Sequence, residues 1–357
     1  MIWTRSSVLI SRTDVAIAQA EAVKWDAVGR RGSQAELWQR LGSLLAAEIE
    51  DGAAIFAGDI ESVGSAYLRA LAYFSAGLDL LEDAPLWQTV GLIDACVPFL
   101  DMSRRAVPGP HYVVDPLGDA APMRCLDGSV SKVFHFSTRV ACESLMARGR
   151  PLARDGSEGA ADNGLCPADV ALQHLLRVWA PDAPTRRHRR HVLGDKVRLV
   201  QGVDACLQLV MGDSPSDDIL SSVSDVSRSS MAVLLPDPGP RGVLISQLVG
   251  VQFEDANQVQ LGFVRRVRVE SRGLFCGLQL VSRAATHATV EDGRSSVSVL
   301  VCDPVCRGDV VRLITGQSGV LKDASLFLKV GAAVFKLRAL DTAWIGQGYE
   351  LRAYQLV

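Results

Sequence analysis

The chain has 357 residues, 48% apolar and 22% charged. That balance excludes wholesale disorder and allows a sizeable core in two or three domains. Its 37 basic and 40 acidic residues leave a net charge of −3, which excludes a general polyanion binder, so any phosphate or nucleic-acid site must come from local clustering.

In chain order, Met1–Asp14 has only the short apolar run Val8-Leu9-Ile10 and no signal-peptide core. No apolar run reaches the roughly 18 residues of a membrane helix. A cytoplasmic chain without membrane contact is expected. Five of the six Trp (3, 25, 38, 87 and 179) lie in the first half, among Ala-rich segments of helical spacing. Leu37, Trp38, Leu41, Leu44, Leu45, Ile49 and Ala53 predict a helix over Ser33–Phe56, with Ser33 and Glu36 as a capping box. Further helices are predicted over Ile60–Leu81, Trp87–Arg105 with a break at Pro98, Val133–Ala147 and Pro167–Trp179. Val107–Gly128 and Gly149–Cys166 read as loops.

After residue 190 the apolar period becomes two. Strand runs start at Val197, Leu199 and Val203, and continue over Val243–Phe253, Val259–Val269 and Leu274–Val281. A last set covers Val297–Cys302, Val310–Thr315, Ala324–Val330, Ala333–Leu340 and Tyr349–Val357. Short strands at this spacing read as a β-barrel or sandwich followed by a second small β unit.

The sequence offers no positive case for an enzyme. It has no GxxxxGK[ST], HExxH, GxSxG or GxGxxG. Eight scattered Cys without a CxxC read as buried free thiols. Cys302 and Cys306 have no nearby His to complete a metal set, and no metal or other cofactor is expected.

One dense chemical signal remains. Residues 185–191 read Thr-Arg-Arg-His-Arg-Arg-His, between a helix ending near Trp179 and a strand starting near Val192. Pro181 and Pro184 argue against continued helix. Clustered guanidiniums repel one another unless an anion compensates, and their planar forks suit phosphate and guanine edges. Downstream, Asp225 and Ser227 stand two apart at a strand end, which places them on one face. A carboxylate there can accept from guanine N–H groups. Taken singly, a solvated basic linker and ordinary turn chemistry account for the two elements.

Together they resemble the PilZ domain. Arg186…Arg190 matches the family's RxxxR linker before a barrel. Asp225-Val226-Ser227-Arg228-Ser229-Ser230 resembles its D/NxSxxG strand, with Ser230 where the pattern has Gly. Val243–Gly250, Gly262-Phe263-Val264-Arg265 and Gly277-Leu278-Gln279-Leu280 resemble later strands of the family. The resemblance covers about residues 184–285. A looser one, through Tyr67-Leu68-Arg69-Ala70, Tyr112-Val113-Val114-Asp115 and the Leu175…Trp179 helix, points to a longer proteobacterial form.

The resemblance implies an α+β multidomain chain. An α-helical N-terminal domain over 1–180 precedes a PilZ-like antiparallel β-barrel with its arginine linker over 181–285 and a C-terminal β extension over 286–357. It implies a cyclic di-GMP receptor whose ligand is held by Arg186, Arg187, Arg190, Asp225, Ser227, Ser230 and Gly277, with a protein partner docking on the helical domain. The competing reading is a protein-interaction scaffold on a degenerate, non-binding barrel. A nucleic-acid module is disfavoured by the net charge and by the few aromatics after residue 190.

Overall fold

The computed structural model describes residues 11–32, 35–50, 62–104, 111–116, 122–125, 134–149, 166–180, 188–236, 242–316 and 325–357. The chain divides into two compact units, Met1–Thr185 and Arg186–Val357. The class is α+β: helices dominate the first unit and antiparallel sheet the second.

The first unit holds helices α1 (Arg12–Val28), α2 (Ala35–Glu50), α3 (Val63–Ser75), α4 (Asp83–Cys96), α5 (Arg139–Gly149) and α6 (Pro167–Val178). Helix α3 is apolar nearly all round, with Ala66, Tyr67, Leu68, Ala70, Leu71 and Tyr73 buried, as a central helix must be. Trp38, Leu41 and Leu45 of α2 join the same core. Helix α1 starts in a capping box: the Asp14 N–H donates to Ser11 Oγ at 3.0 Å and the Ser11 N–H to Asp14 Oδ2 at 3.0 Å. The C-terminus of α3 is tied to α6 by buried polar bonds. His174 Nε2 lies 2.7 Å from the Ala76 carbonyl, and Trp179 Nε1 donates to Ser75 Oγ at 3.0 Å.

The unit is not purely helical, which corrects the expected first domain. Strands β1 (Asp101–Ser103), β2 (His111–Val114), β3 (Met123–Cys125) and β4 (Phe134–Ser137) form an antiparallel sheet in the order β1-β4-β2-β3. Part of the loop expected over Val107–Gly128 is therefore strand. The helix expected over Val133–Ala147 is split, because Phe134 and Phe136 enter the core in extended chain before α5 begins. Pro98 does end the helix before it: α4 stops at Cys96 and a 3-10 turn covers Val97–Phe99. The expected Ser33 cap and most of the Gly149–Cys166 loop lie outside the described residues.

The second unit holds β5 (His191–Val192), β6 (Lys196–Gln201), α7 (Val203–Met211), β7 (Ile219–Val226), β8 (Ser230–Leu235), β9 (Leu248–Phe253), β10 (Val259–Glu270) and β11 (Gly273–Glu291). Then come β12 (Ser296–Val301), β13 (Val310–Gly316), β14 (Leu326–Val330), β15 (Ala333–Gly346) and β16 (Tyr349–Leu356). Pairing runs β10-β9-β6-β7-β8-β11 and closes through β10–β11; it then runs β11-β12-β13-β16-β15-β14 and closes through β11–β14. Two rings of antiparallel strands therefore share β11, whose 19 residues run unbroken through the expected domain boundary at 285/286. Each ring has its own core, around Val197, Val233, Val251 and Leu278 in the first and Val299, Leu313 and Tyr354 in the second.

A third core joins them around α7, with Cys206, Leu209, Leu248, Phe263, Leu300 and Tyr349. This helix corrects the strand start expected at Val203. Val203, Cys206, Leu207 and Leu209 are its buried residues, a helical spacing within a run too short to distinguish from strand. Gly250 makes room for it: a Cβ there would lie 3.1 Å from Cys206 Sγ and 3.0 Å from a Val200 methyl.

Candidate functional site

The linker residue Arg190 immediately precedes β5, which pairs antiparallel with β7 through His191↔Val226 and Val192↔Asp225. That pairing brings together two residues 35 apart in sequence. Arg190 Nη1 lies 2.9 Å from Asp225 Oδ1 and donates to Oδ2 at 3.0 Å. Both side chains are half-buried, at 30% and 21% exposure, so their attraction is screened less than that of a surface pair. The register of β7 against β8 shifts between Val223 and Asp225. The irregularity leaves Val223 and Val226 packed on the first ring's core while Asp225 meets the linker. Arg186 and Arg187, the other expected linker contacts, lie outside the described residues.

Residues Ser227–Ser230 form the hairpin turn between β7 and β8. The Ser227 N–H donates to the Ser230 carbonyl at 2.8 Å. The Ser227 hydroxyl lies 2.7 Å from the Ser230 hydroxyl and accepts from the Ser230 N–H at 3.2 Å. Asp225 and Ser227 were expected to present one polar edge. The structure instead commits Ser227, 7% exposed, to the turn itself. Ser230, where the motif pattern has Gly, does not have positive φ and sits as the first residue of β8. The position therefore demands no glycine for backbone reasons.

Gly277 closes the set. One cross-strand row runs Asp225↔Ala232, Ala232↔Gly277 and Gly277↔Arg266, over β7, β8, β11 and β10. Met231, Val233, Cys276 and Leu278 point into the core, so Ala232 and Gly277 lie on the opposite face by alternation; Gly277 is partly exposed there and Ala232 is fully covered. The row thus has a carboxylate at one end and an arginine at the other, with a covered alanine and a partly exposed glycine between them.

Sequence reasoning missed Arg283 on β11. Its Nη2 reaches back 56 residues to the Ser227 carbonyl at 3.3 Å and donates to the Arg228 carbonyl at 2.6 Å. The Leu280 N–H donates to the Ser229 carbonyl at 3.0 Å. The two residues between serve the second ring: Arg312 Nη2 donates to the Val281 carbonyl at 3.0 Å and the Ser282 hydroxyl to the Cys302 carbonyl at 2.7 Å. Nothing in the spacing of Arg283 marked it, because its role depends on where β11 passes the turn.

The charge at this rim is uneven. Among the described residues, Arg189, Arg228 and Arg283 have no carboxylate within ion-pair distance, while Asp225 is engaged by Arg190. Nucleophilic chemistry has no support at the nearest thiol: burial pushes Cys276 up to about 12. Among the described residues no group of three His, Cys, Asp or Glu is placed to hold a metal. None of their helices is long and apolar enough to cross a membrane. No protein-family model matches the chain, and no curated protein matches it.

Proposed function

We propose that the chain is a non-catalytic receptor for cyclic di-GMP, with the first ring of strands acting as a PilZ-like barrel. The observation that carries this reading is the Arg190–Asp225 pair. The sequence resemblance named these two residues as parts of separate motifs, and they meet at 2.9 Å. The ligand has two phosphates and two guanines, which match a guanidinium cluster and a carboxylate lying side by side. In this reading Arg190, with Arg186 and Arg187, takes phosphate, and Asp225 accepts from a guanine edge. Gly277 leaves room for a planar base, and Ser227 and Ser230 hold the turn. The linker is the part that ligand binding reorders, and the helical unit docks a protein partner in response.

The test is calorimetric titration of the whole chain with cyclic di-GMP, with GTP and cyclic di-AMP as controls. Saturable binding of cyclic di-GMP in preference to both supports the receptor.

One observation favours the second reading, a scaffold with a non-binding barrel. Arg190 and Asp225 already pair with each other without a ligand, so the pair also suits a closed, purely structural rim. Absence of nucleotide binding, together with a measurable loss of stability in Arg190→Ala, favours the scaffold.

A further inference from the structure

In the turn Ser227–Ser230 every backbone carbonyl is engaged, whereas, among the described residues, the Arg228 N–H is not. The Ser227 and Arg228 carbonyls accept from Arg283, the Ser229 carbonyl from the Leu280 N–H, and the Ser230 carbonyl from the Ser227 N–H. What it still offers is donor-rich. Among the described residues the Arg228 N–H has no hydrogen-bond partner, and the Arg228 side chain and the Ser229 hydroxyl are exposed without one. The hydrogen bonds of Arg283 run through Nη2 alone, which leaves Nε and Nη1 available on an exposed guanidinium. Two cations without a carboxylate partner, an unpaired N–H and a hydroxyl at one hairpin tip match the donor needs of a phosphate group.

We propose that this tip is a phosphate subsite formed by Arg228, Ser229 and Arg283, distinct from the arginine linker. Arg283 has two duties there. It pins the turn through two carbonyls, and it holds a fixed positive charge beside Arg228. That fixing lowers the ordering cost that an unrestrained surface arginine incurs on binding an anion. The subsite rests on the receptor reading only for the identity of the nucleotide; its chemistry asks for a phosphate monoester, diester or pyrophosphate.

The experiment titrates wild type, Arg228→Gln, Arg283→Gln and Arg283→Lys with inorganic pyrophosphate and, separately, with cyclic di-GMP. Each glutamine variant is expected to weaken binding of at least one probe roughly ten-fold, the loss of a charge-assisted hydrogen bond. Arg283→Lys keeps the charge and recovers part of that loss. The Arg228 side chain makes no bond that shapes the turn, so Arg228→Gln reports on the subsite even where Arg283→Gln disturbs the hairpin. Pyrophosphate binding sensitive to both arginines without cyclic di-GMP binding supports the subsite and removes the receptor reading. Cyclic di-GMP binding that ignores both arginines keeps the receptor and, when pyrophosphate is equally indifferent, overturns the subsite. Failure of wild type to bind either probe overturns both.

Discussion

Arg190 and Asp225 form a half-buried ion pair, 2.9 Å between Nη1 and Oδ1, across the short antiparallel pairing of β5 with β7. The pair joins the linker to the sheet and places an arginine and a carboxylate side by side at the candidate site. Its contribution to folding is expected to be modest, because both side chains keep part of their exposure. Arg190→Ala is expected to lower unfolding stability by about 1 kcal/mol or less. Urea titration of wild type, Arg190→Ala, Asp225→Ala and the double variant measures the coupling. A coupling of several kcal/mol contradicts this description of the rim.

Ser230 bears on how the departure from the motif pattern is read. Its backbone is not left-handed, and its hydroxyl bonds with Ser227. Ser230→Gly is therefore expected to destabilise the chain by about 0.5–1 kcal/mol, through lost backbone restriction, and to leave nucleotide affinity within about three-fold. Appearance of binding only in Ser230→Gly, with none in wild type, contradicts the relaxed geometry as the basis for a working site.

Gly277 tests the partly exposed middle of the cross-strand row. A Cβ there would lie 3.2 Å from Arg266 Cβ, tight but with a side-chain carbon as the neighbour. Gly277→Val is expected to fold, with a change in stability within about 1 kcal/mol, since valine suits a strand. Its branched side chain covers the space between Asp225 and Arg266, and nucleotide affinity is expected to fall at least about ten-fold, an effect of about 1.4 kcal/mol. Calorimetry checks this, and unchanged affinity removes Gly277 from the site.

Much of the second unit was legible because β-branched alternation survives in strands with one covered face. Val259–Val269 and Leu274–Val281 read as strands, and the structure has β10 and β11 there. The sequence did not reveal that β11 continues to Glu291, because Arg283, Thr286 and His287 interrupt the apolar pattern where the strand passes from one ring to the next. Helix α1 was missed for a different reason. Its buried stripe is Ala16, Ala20 and Val23, and two alanines carry little hydrophobic signal. At the site, local motif spacing pointed to Arg190 and Asp225, but Arg283 and Arg266 act through strand neighbours far away in sequence. No local pattern could name them.

His174 gives the first unit a pH signature. Burial, opposed by its bond to the Ala76 carbonyl and assisted by nearby Arg177, holds its pKa below the ordinary 6.5. The folded state therefore keeps the neutral ring while the unfolded chain takes up the proton first. The stability from the neutral ring is fully present above about pH 6.5 and is lost as pH falls through the lower folded value, by up to about 1.4 kcal/mol per pH unit. Denaturant titrations of wild type and His174→Gln between pH 7.5 and about 5.5 check this. Wild type is expected to lose stability across that window and His174→Gln to lose less. Equal slopes contradict the assignment.

The most direct test of the central claim is calorimetric titration of cyclic di-GMP into wild type, Arg190→Ala and Asp225→Ala at moderate salt. The account predicts saturable binding to wild type and a loss in each variant of about 10- to 150-fold, the weight of roughly 1.5–3 kcal/mol for a charge-assisted hydrogen bond. It also predicts that Asp225→Ala weakens cyclic di-GMP more than cyclic di-AMP, because the carboxylate reads the guanine edge. Absence of binding to wild type at high ligand concentration, or wild-type affinity in both variants, contradicts it.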